Sequence, residues 1–340
     1  MREVAERAGV SPATVSRVLN GSETVREDYR TRVLAAVAEL DYRPNRLARN
    51  LRRRQAEMIG VVVSDIENPH FSGMVRAVED AAYRAGFRVL LCNTDETPEK
   101  QRAYLEMLAD ERVLGVVISP SDPGGDEIGE LLDLEIPVVA VDRIVDDARA
   151  DVVVADNVDA ARRATQWLID AGHREIGFVG GRLDVETGDE RSEGYRQAMR
   201  AAGLRERAAN GNFRLEGGRE AAAELVAAVP RPTGLVVANN LMTIGALQAV
   251  RAAKLRVPDD LALTAIDDPF WAEMLDPPLT TLAQPVRDMA EAAMALLLER
   301  IDGRRVTPER RVFPFELKVR ASCGTRSMTS KEKPWHESVS

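Results

Sequence analysis

Two hydrophobic periods divide the chain. From Ala56 onward, short apolar runs rich in β-branched residues recur as MIGVVVS, FRVLLCN, RVLGVVIS, IPVVAVD, DVVVAD, EIGFVGG, TGLVVAN and DLALTAID. Stretches of helical spacing lie between them, among them MVRAVEDAAYRAG and EKQRAYLEMLAD. Near-continuous apolar runs are strands buried on both faces, and their alternation with amphipathic helices predicts parallel sheets covered on either side. Eight such strands are too many for one comfortable sheet, so two doubly wound halves are predicted.

The first forty residues have a helical period instead. Val4, Ala5 and Ala8 stripe one short helix, Val15, Val18 and Leu19 a second, and Val33, Leu34, Val37 and Leu40 a third. Gly9 suits a left-handed turn between the first two, Ser11 can cap the second through its hydroxyl, and Pro12 fits the first helical position. Two helices joined by a tight glycine turn make a helix-turn-helix. The outer face of its second helix carries Ala13, Ser16, Arg17 and Asn20, all short except Arg17. Such a face fits a major groove, Ala13 against a thymine methyl and Arg17 on guanine or phosphate. An ordinary small three-helix core with a solvated face is the alternative reading. In the following DYRPNRLARNLRRRQ, Pro44 stops the third helix and Asn45 can cap a short one with Leu47, Ala48 and Leu51 as its apolar residues. A helix this short is marginal in water and forms only against a partner. Phosphates would neutralise its five arginines while Leu51 wedges into a minor groove; a solvated basic linker is the other reading.

Charge sharpens the division. The net charge of −9 conceals twelve arginines against seven acids in residues 1–55, and 34 basic against 48 acidic residues thereafter. A cationic end tethered to an acidic body suits a small domain that meets phosphates. With 45% hydrophobic and 30% charged residues the chain reads as globular, and neither a membrane span nor a signal-peptide core is visible, which predicts a cytoplasmic protein. Cys92 and Cys323 are far apart and read as reduced packing residues.

Polar residues collect after the carboxyl ends of the predicted strands: Ser64-Asp65 with Asn68, Ser119, Asp142-Arg143, Asp156-Asn157, Gly180-Gly181-Arg182, Asn239-Asn240 and Asp267-Asp268. Ligands of open α/β sheets bind at that edge. Two such edges facing each other form a cleft suited to polyols and their acids. Catalytic machinery is scarce. His70, His173 and His336 are dispersed, and no GxSxG, HExxH, GxxxxGK[ST] or GxGxxG occurs. Gly180 and Gly181 read as turn residues, Asp267-Asp268 as a ligand-binding rather than catalytic pair, and His173 as a loop residue before a strand. No catalytic residue, metal or cofactor is expected.

The ordered stretches AERAGVSPATVSRVLNG, YRPNRLARNLR, IENPHFSGMVRAVEDAA, LGVVISP, PVVAVDR, VVVADNVDAA, GHREIGFVGG, ERSEGYRQAM, VVANNLMTIGAL and DPPLTTLAQP resemble the LacI/GalR family of bacterial transcriptional regulators, over essentially residues 1–324. The resemblance implies a homodimer on a palindromic double-stranded DNA operator. Pro12, Ala13 and Arg17 would read bases, with Thr14 and Ser16 on phosphate or base edges and Leu51 as the hinge-helix lever. Ser11, Asn20 and Asn45 complete the expected DNA-binding set. The fold it implies is a helix-turn-helix headpiece (1–44), a hinge helix (45–55), and a periplasmic-binding-protein-like core (56–324). Within that core, 57–155 plus 286–315 would form one subdomain and 156–285 plus 316–324 the other, with 325–340 a disordered tail. Carried over residue by residue, the effector would meet Phe71, Ser119, Asp142 and Arg143 on the first half. On the second it would meet Arg191, Phe213, Asn239, Asp267 and Gln284.

The chain departs from the family pattern at its start, Met1-Arg2-Glu3-Val4, where the usual capping threonine is missing or lies upstream, at Asn240 in place of a common Asp, and at His70 of NPHF in place of a second aromatic. The tail has no leucine heptads, so a dimer is expected. The resulting expectation is a repressor switched by a sugar or sugar acid in the cleft. A cytoplasmic sugar-binding protein or a sugar-modifying enzyme without DNA function are the alternatives.

Overall fold

The computed structural model describes Ala5 and residues 7–11, 14–15, 18, 27–39 and 58–324, with the side chains of 27, 28 and 38 excepted. Pro12, Ala13, Ser16, Arg17, Asn20, Asn45 and Leu51 lie outside the described residues, as does the tail from 325. Residues 1–56 and 57–340 form two compact units.

In the first unit, Ala5, Ala8, Val15, Val18, Val33 and Ala36 make a small buried core, with Val10 and Val37 packed on it. Gly9 takes the left-handed conformation (φ 63°), and its carbonyl accepts a 3.0 Å hydrogen bond from Arg32 Nη2. Ser11 Oγ accepts the Thr14 amide at 3.1 Å and lies 2.9 Å from Thr14 Oγ1, so the serine caps the next helical turn as its position predicts. Along α1 (Glu27–Glu39) the buried positions are 33 and 36 with 37 half-buried, whereas Leu34, expected in the stripe, is 51% exposed. One residue is about 100° of helix, so Leu34 falls off a face narrow enough to be set by Val33 and Ala36.

The second unit contains two six-stranded sheets. The first takes β1 (Met58–Val63), β2 (Arg88–Asn93), β3 (Val116–Ile118), β4 (Val138–Val141), β5 (Asp151–Ala155) and β11 (Arg310–Phe313), in the order β11-β5-β4-β3-β1-β2 and wholly parallel. The second takes β6 (Ile176–Gly180), β7 (Ala208–Asn210), β8 (Gly234–Val237), β9 (Ala262–Ile266), β10 (Thr280–Ala283) and β12 (Glu316–Lys318), in the order β12-β10-β9-β8-β6-β7. Only β12 runs antiparallel, beside β10. The eight apolar runs of the sequence are β1 to β6, β8 and β9. The four strands not foreseen are short or polar, such as β7 with Ala-Ala-Asn and β12 with Glu-Leu-Lys.

Strand residues of the first sheet divide strictly by parity, which is what double winding requires. Ile59, Val61, Val63, Val117, Val139, Val141 and Val153 face one core, shared with Phe71, Met74 and Val78 of α2 (Pro69–Arg84) and with Met289, Ala293 and Leu297 of α9 (Val286–Ile301). Val62, Val116, Ile118, Val138 and Ala140 face the other, with Leu105 and Leu108 of α3 (Pro98–Asp110) and Ile128 and Leu131 of α4 (Asp126–Asp133). Each fully buried aliphatic side chain stabilises the fold by about 1.5–3 kcal/mol. After β10 the chain returns to the first sheet, where α9 packs on α2, β3, β4 and β5. Then β11 pairs with β5, and β12 re-enters the second sheet. The second sheet is covered by α5 (Asn157–Asp170), α6 (Glu186–Ala201), α7 (Leu215–Ala227) and α8 (Asn240–Ala252).

Candidate functional site

A cleft with about 640 Å³ of empty space, continuous with solvent, is lined by residues that follow the carboxyl ends of strands in both sheets. Asp65, Asn68, His70 and Phe71 follow β1, Glu96 follows β2, and Asp142 and Arg143 follow β4. From the second sheet come Arg182, Thr187 and Arg191 after β6, Asn212 to Arg214 after β7, Asn239 after β8, Asp267 after β9 and Gln284 after β10. The two rims share a backbone device. Asp142 (φ 67°) and Asp267 (φ 75°) are left-handed immediately after β4 and β9, and Glu96 (φ 59°) and Phe213 (φ 57°) are left-handed after β2 and β7. Outside glycine that conformation is tolerated best by Asp and Asn. It ends the extended run where the side chain must leave the sheet.

On the first rim, Asn68 caps α2 by accepting the His70 amide at 3.0 Å, which fixes His70 and Phe71 in the first helical turn. Their rings meet edge to face with centroids 4.9 Å apart. His70 Nε2 lies 3.1 Å from Asp142 Oδ1, both side chains being buried, although the contact falls outside hydrogen-bond geometry. Burial by itself would lower the His70 pKa, but the Asp142 carboxylate outweighs it and holds the imidazole above its ordinary value. Burial likewise pushes Asp142 up, and His70 followed by Arg143 holds it below the usual carboxylate range. Arg143 Nη1 and Nη2 donate to both oxygens of Glu96 at 2.7 and 2.6 Å, and Nη1 donates also to the Pro120 carbonyl at 3.1 Å. Its charge is therefore matched by a neighbour before any ligand is considered.

On the second rim, Arg191 of α6 donates from Nε to Asn157 Oδ1 at 2.8 Å and from Nη1 to the Ala238 carbonyl at 2.6 Å. Its guanidinium carbon stands 5.9 Å from the centre of the Phe213 ring. Gly181 leaves room for that ring, since any Cβ there would run into it; the residue read as a turn glycine makes space for an aromatic. Asn239 caps α8 by accepting the Met242 amide at 2.8 Å. Asp267 accepts from Gln284 Nε2 at 2.8 Å and from the amide and side-chain nitrogens of Asn240, each at 3.2 Å. Among the described residues, buried Gln284 Oε1 and Arg143 Nε have no hydrogen-bond partner.

The structure thus gathers Phe71, Asp142, Arg143, Arg191, Phe213, Asn239, Asp267 and Gln284 around one cleft. Ser119 stands apart: it is fully buried and absent from the lining. Its amide donates to the Val62 carbonyl at 2.8 Å, and its buried hydroxyl has no hydrogen-bond partner among the described residues. Asp268 diverges from Asp267 as adjacent residues should, pairing with Arg320 at 2.7 and 2.9 Å. His173 is held structurally, its Nδ1 3.1 Å from Thr233 Oγ1. Among the described residues no cluster of ligating side chains could hold a metal ion, and no helix is long and apolar enough to cross a membrane. Sequence reasoning placed Asp65, Asn68 and Arg182 at strand ends without assigning them to the ligand. It passed over Glu96, Thr187, Asn212 and Arg214 altogether, because nothing in TDETPEK, DVETGDE or NGNFRLEGG distinguishes them from polar residues facing solvent.

Residues 1–45 match the pattern of bacterial regulatory proteins of the lacI family, and residues 165–323 that of the periplasmic binding protein-like domain. The chain is 37% identical over 327 residues to the HTH-type transcriptional repressor PurR of Vibrio campbellii, covering 94% of this chain and 96% of that one. It is 34% identical over 320 residues to the ribose operon repressor of Halalkalibacterium halodurans, again covering 94% and 96%. Among solved structures, the lac repressor dimer bound to operator and the anti-inducer ONPF superposes with a TM-score of 0.83 at 27% identity, covering 95% of this chain and 98% of that one. A LacI family regulator from Enterococcus faecium with bound ribose superposes at 0.73 with 28% identity, covering 78% and 98%.

Proposed function

From the premise that the chain belongs to the lacI family of bacterial regulatory proteins, and is a DNA-binding transcriptional repressor, we propose that its effector is a neutral sugar of about pentose size held in the cleft. The observation that carries this reading is charge balance. Arg143 is paired with Glu96, Arg214 with Asp65 and Arg182 with Asp184. Arg191 is occupied on two nitrogens by neutral oxygens. Asp142 and Asp267 remain as hydroxyl acceptors, and Phe71 and Phe213 offer the apolar faces that sugar rings pack against. A sugar acid would bring a further negative charge beside those two carboxylates, and among the lining arginines only Arg191 is without a carboxylate partner to meet it. The ribose bound by the E. faecium regulator and the name of the H. halodurans relative favour a pentose.

The remainder of the proposal follows from the family. The core divides as 57–155 with 286–315 and 156–285 with 316–324. Pro12, Ala13 and Arg17 read operator bases, Ser11, Thr14, Ser16 and Asn20 support them at the groove, and Leu51 in a hinge helix capped by Asn45 enters the minor groove. A homodimer presents two headpieces to a palindrome. Exposed Tyr83, Phe270 and Met274, at 77%, 78% and 76%, supply apolar surface for such self-association. The cleft binds without turnover, in the cytoplasm where the operator is. Thermal unfolding of the full chain against D-ribose, D-xylose, D-gluconate and adenosine tests the effector class, because a cleft ligand raises the melting temperature by mass action. D-ribose or D-xylose should shift it and change affinity for a palindromic operator. A shift with gluconate or adenosine alone overturns the neutral-sugar reading.

A further inference from the structure

Side chains of the cleft also meet one another across its opening. Asp65 follows β1 of the first sheet and Arg214 immediately precedes α7 on the second, yet Arg214 Nη1 donates to Asp65 Oδ2 at 2.6 Å. Nearby, Asn240 Nδ2 donates to Asn68 Oδ1 at 2.9 Å. On the strand ends beyond, Ile144 N donates to Glu186 Oε2 at 3.2 Å and Arg182 Nη1 stands 4.0 Å from Glu96 Oε2. Each contact joins the two halves through protein groups alone. Asp65 is the best anchored: its side chain is 9% exposed and its other oxygen accepts the Glu67 amide at 3.1 Å. Arg214, at 44%, is the more exposed partner.

We propose that the Asp65–Arg214 ion pair is a latch on the effector cleft, positioning the two rims in the closed arrangement and thereby setting effector affinity. This rests on the cleft being the effector site. A ligand enclosed by two rims binds the closed arrangement, so its apparent affinity scales with the fraction of protein already closed. An ion pair that exists only when the rims meet raises that fraction. Because Arg214 is partly exposed, the latch is open to screening by salt, which makes it adjustable rather than permanent. Neither residue is part of the effector set that the family resemblance carries over, and their separation in sequence hides the pair from any local reading.

The test is a double-mutant cycle on the full chain at fixed protein concentration, comparing wild type, Asp65→Asn, Arg214→Gln and the double variant by urea unfolding in sugar-free buffer. The two positions can couple only when the rims meet. The latch predicts a coupling worth about a three- to tenfold change in the unfolding equilibrium constant; additive singles overturn it. Titration with D-ribose supplies the functional readout. Each single variant should bind about three- to tenfold more weakly, and the charge reversal Asp65→Arg with Arg214→Asp should recover most of the loss. A reversal as weak as the singles means the residues act by touching the sugar, and the latch is wrong. A wild type that ignores D-ribose refutes the pentose reading, while the sugar-free cycle still decides the latch.

Discussion

Asp142 and Asp267 stand at equivalent places, each the first residue after the fourth strand of its half in chain order and each left-handed. Their surroundings differ in kind. Asp142 is set among charges, with His70 3.1 Å from one oxygen and Arg143 3.9 Å from the other. Asp267 is set among amides, accepting from Gln284 and Asn240. One backbone solution therefore serves two electrostatic environments. The strand end fixes where a carboxylate sits, and the neighbouring elements fix what it does. A charged rim is sensitive to any loss of a partner and to pH, whereas an amide rim is sensitive to lost hydrogen bonds alone.

Three perturbations separate the rims. Arg143→Ala should have the largest effect, because it strips Glu96, whose side chain is 15% exposed, of both its short contacts. Breaking a buried pair by removing one member costs about 3–5 kcal/mol, read by urea unfolding, and adding Glu96→Ala should restore part of it. A loss below about 1 kcal/mol would place Glu96 effectively in water and erase the contrast. Asp267→Ala on the amide rim should cost less, about 1–3 kcal/mol, since it leaves neutral N–H groups without an acceptor. It should also weaken D-ribose at least about tenfold in calorimetry, the range expected when a buried hydrogen-bonding group is truncated.

The smallest effect is the response to pH. His70 has a folded pKa above its ordinary value of 6.5, so its contribution to stability is fully present below that value and is lost as pH rises through the raised folded pKa. Asp142, held below its ordinary 3.8, contributes above that value and loses its contribution as pH falls through the depressed folded pKa. Melting temperature should therefore decline as pH rises above 6.5 in wild type, and less steeply in His70→Asn. Asp267→Asn should soften that decline less than loss of Asp142 would, because Asp267 is the lesser of the two carboxylates that hold the imidazole up. Equal slopes in wild type and His70→Asn would show that the imidazole contributes nothing to it.

The contrast also explains what could be read in advance. Asn239 and Asp267 were legible because each follows an apolar strand that declares itself, and the edge where ligands bind is then a matter of counting along the chain; Gln284 follows β10, which no apolar run announced, and came from the family resemblance alone. His70 was visible as a departure, but its partner lies 72 residues away by number, and no local pattern joins NPHF to VDRI. Ser119 is a different case. It follows an apolar run like the others, yet its side chain is fully buried and does not line the cleft. Gly181 shows a third case, where a residue fit for a turn is instead required by the ring of Phe213 lying against it.

What the sequence determined by itself was everything governed by neighbours along the chain. The parity of the strands, the capping of helices by Ser11, Asn68 and Asn239, the charge division at residue 55 and the end of each apolar strand all follow from local periods and dihedral preferences. Which charges cancel was decided only by the tertiary structure. Glu96 with Arg143 and Asp65 with Arg214 are pairs between segments 47 and 149 residues apart. A carboxylate's energy depends on the charges and donors within a few ångströms of it, and that distance is set when the sheets are wound, not when the chain is written.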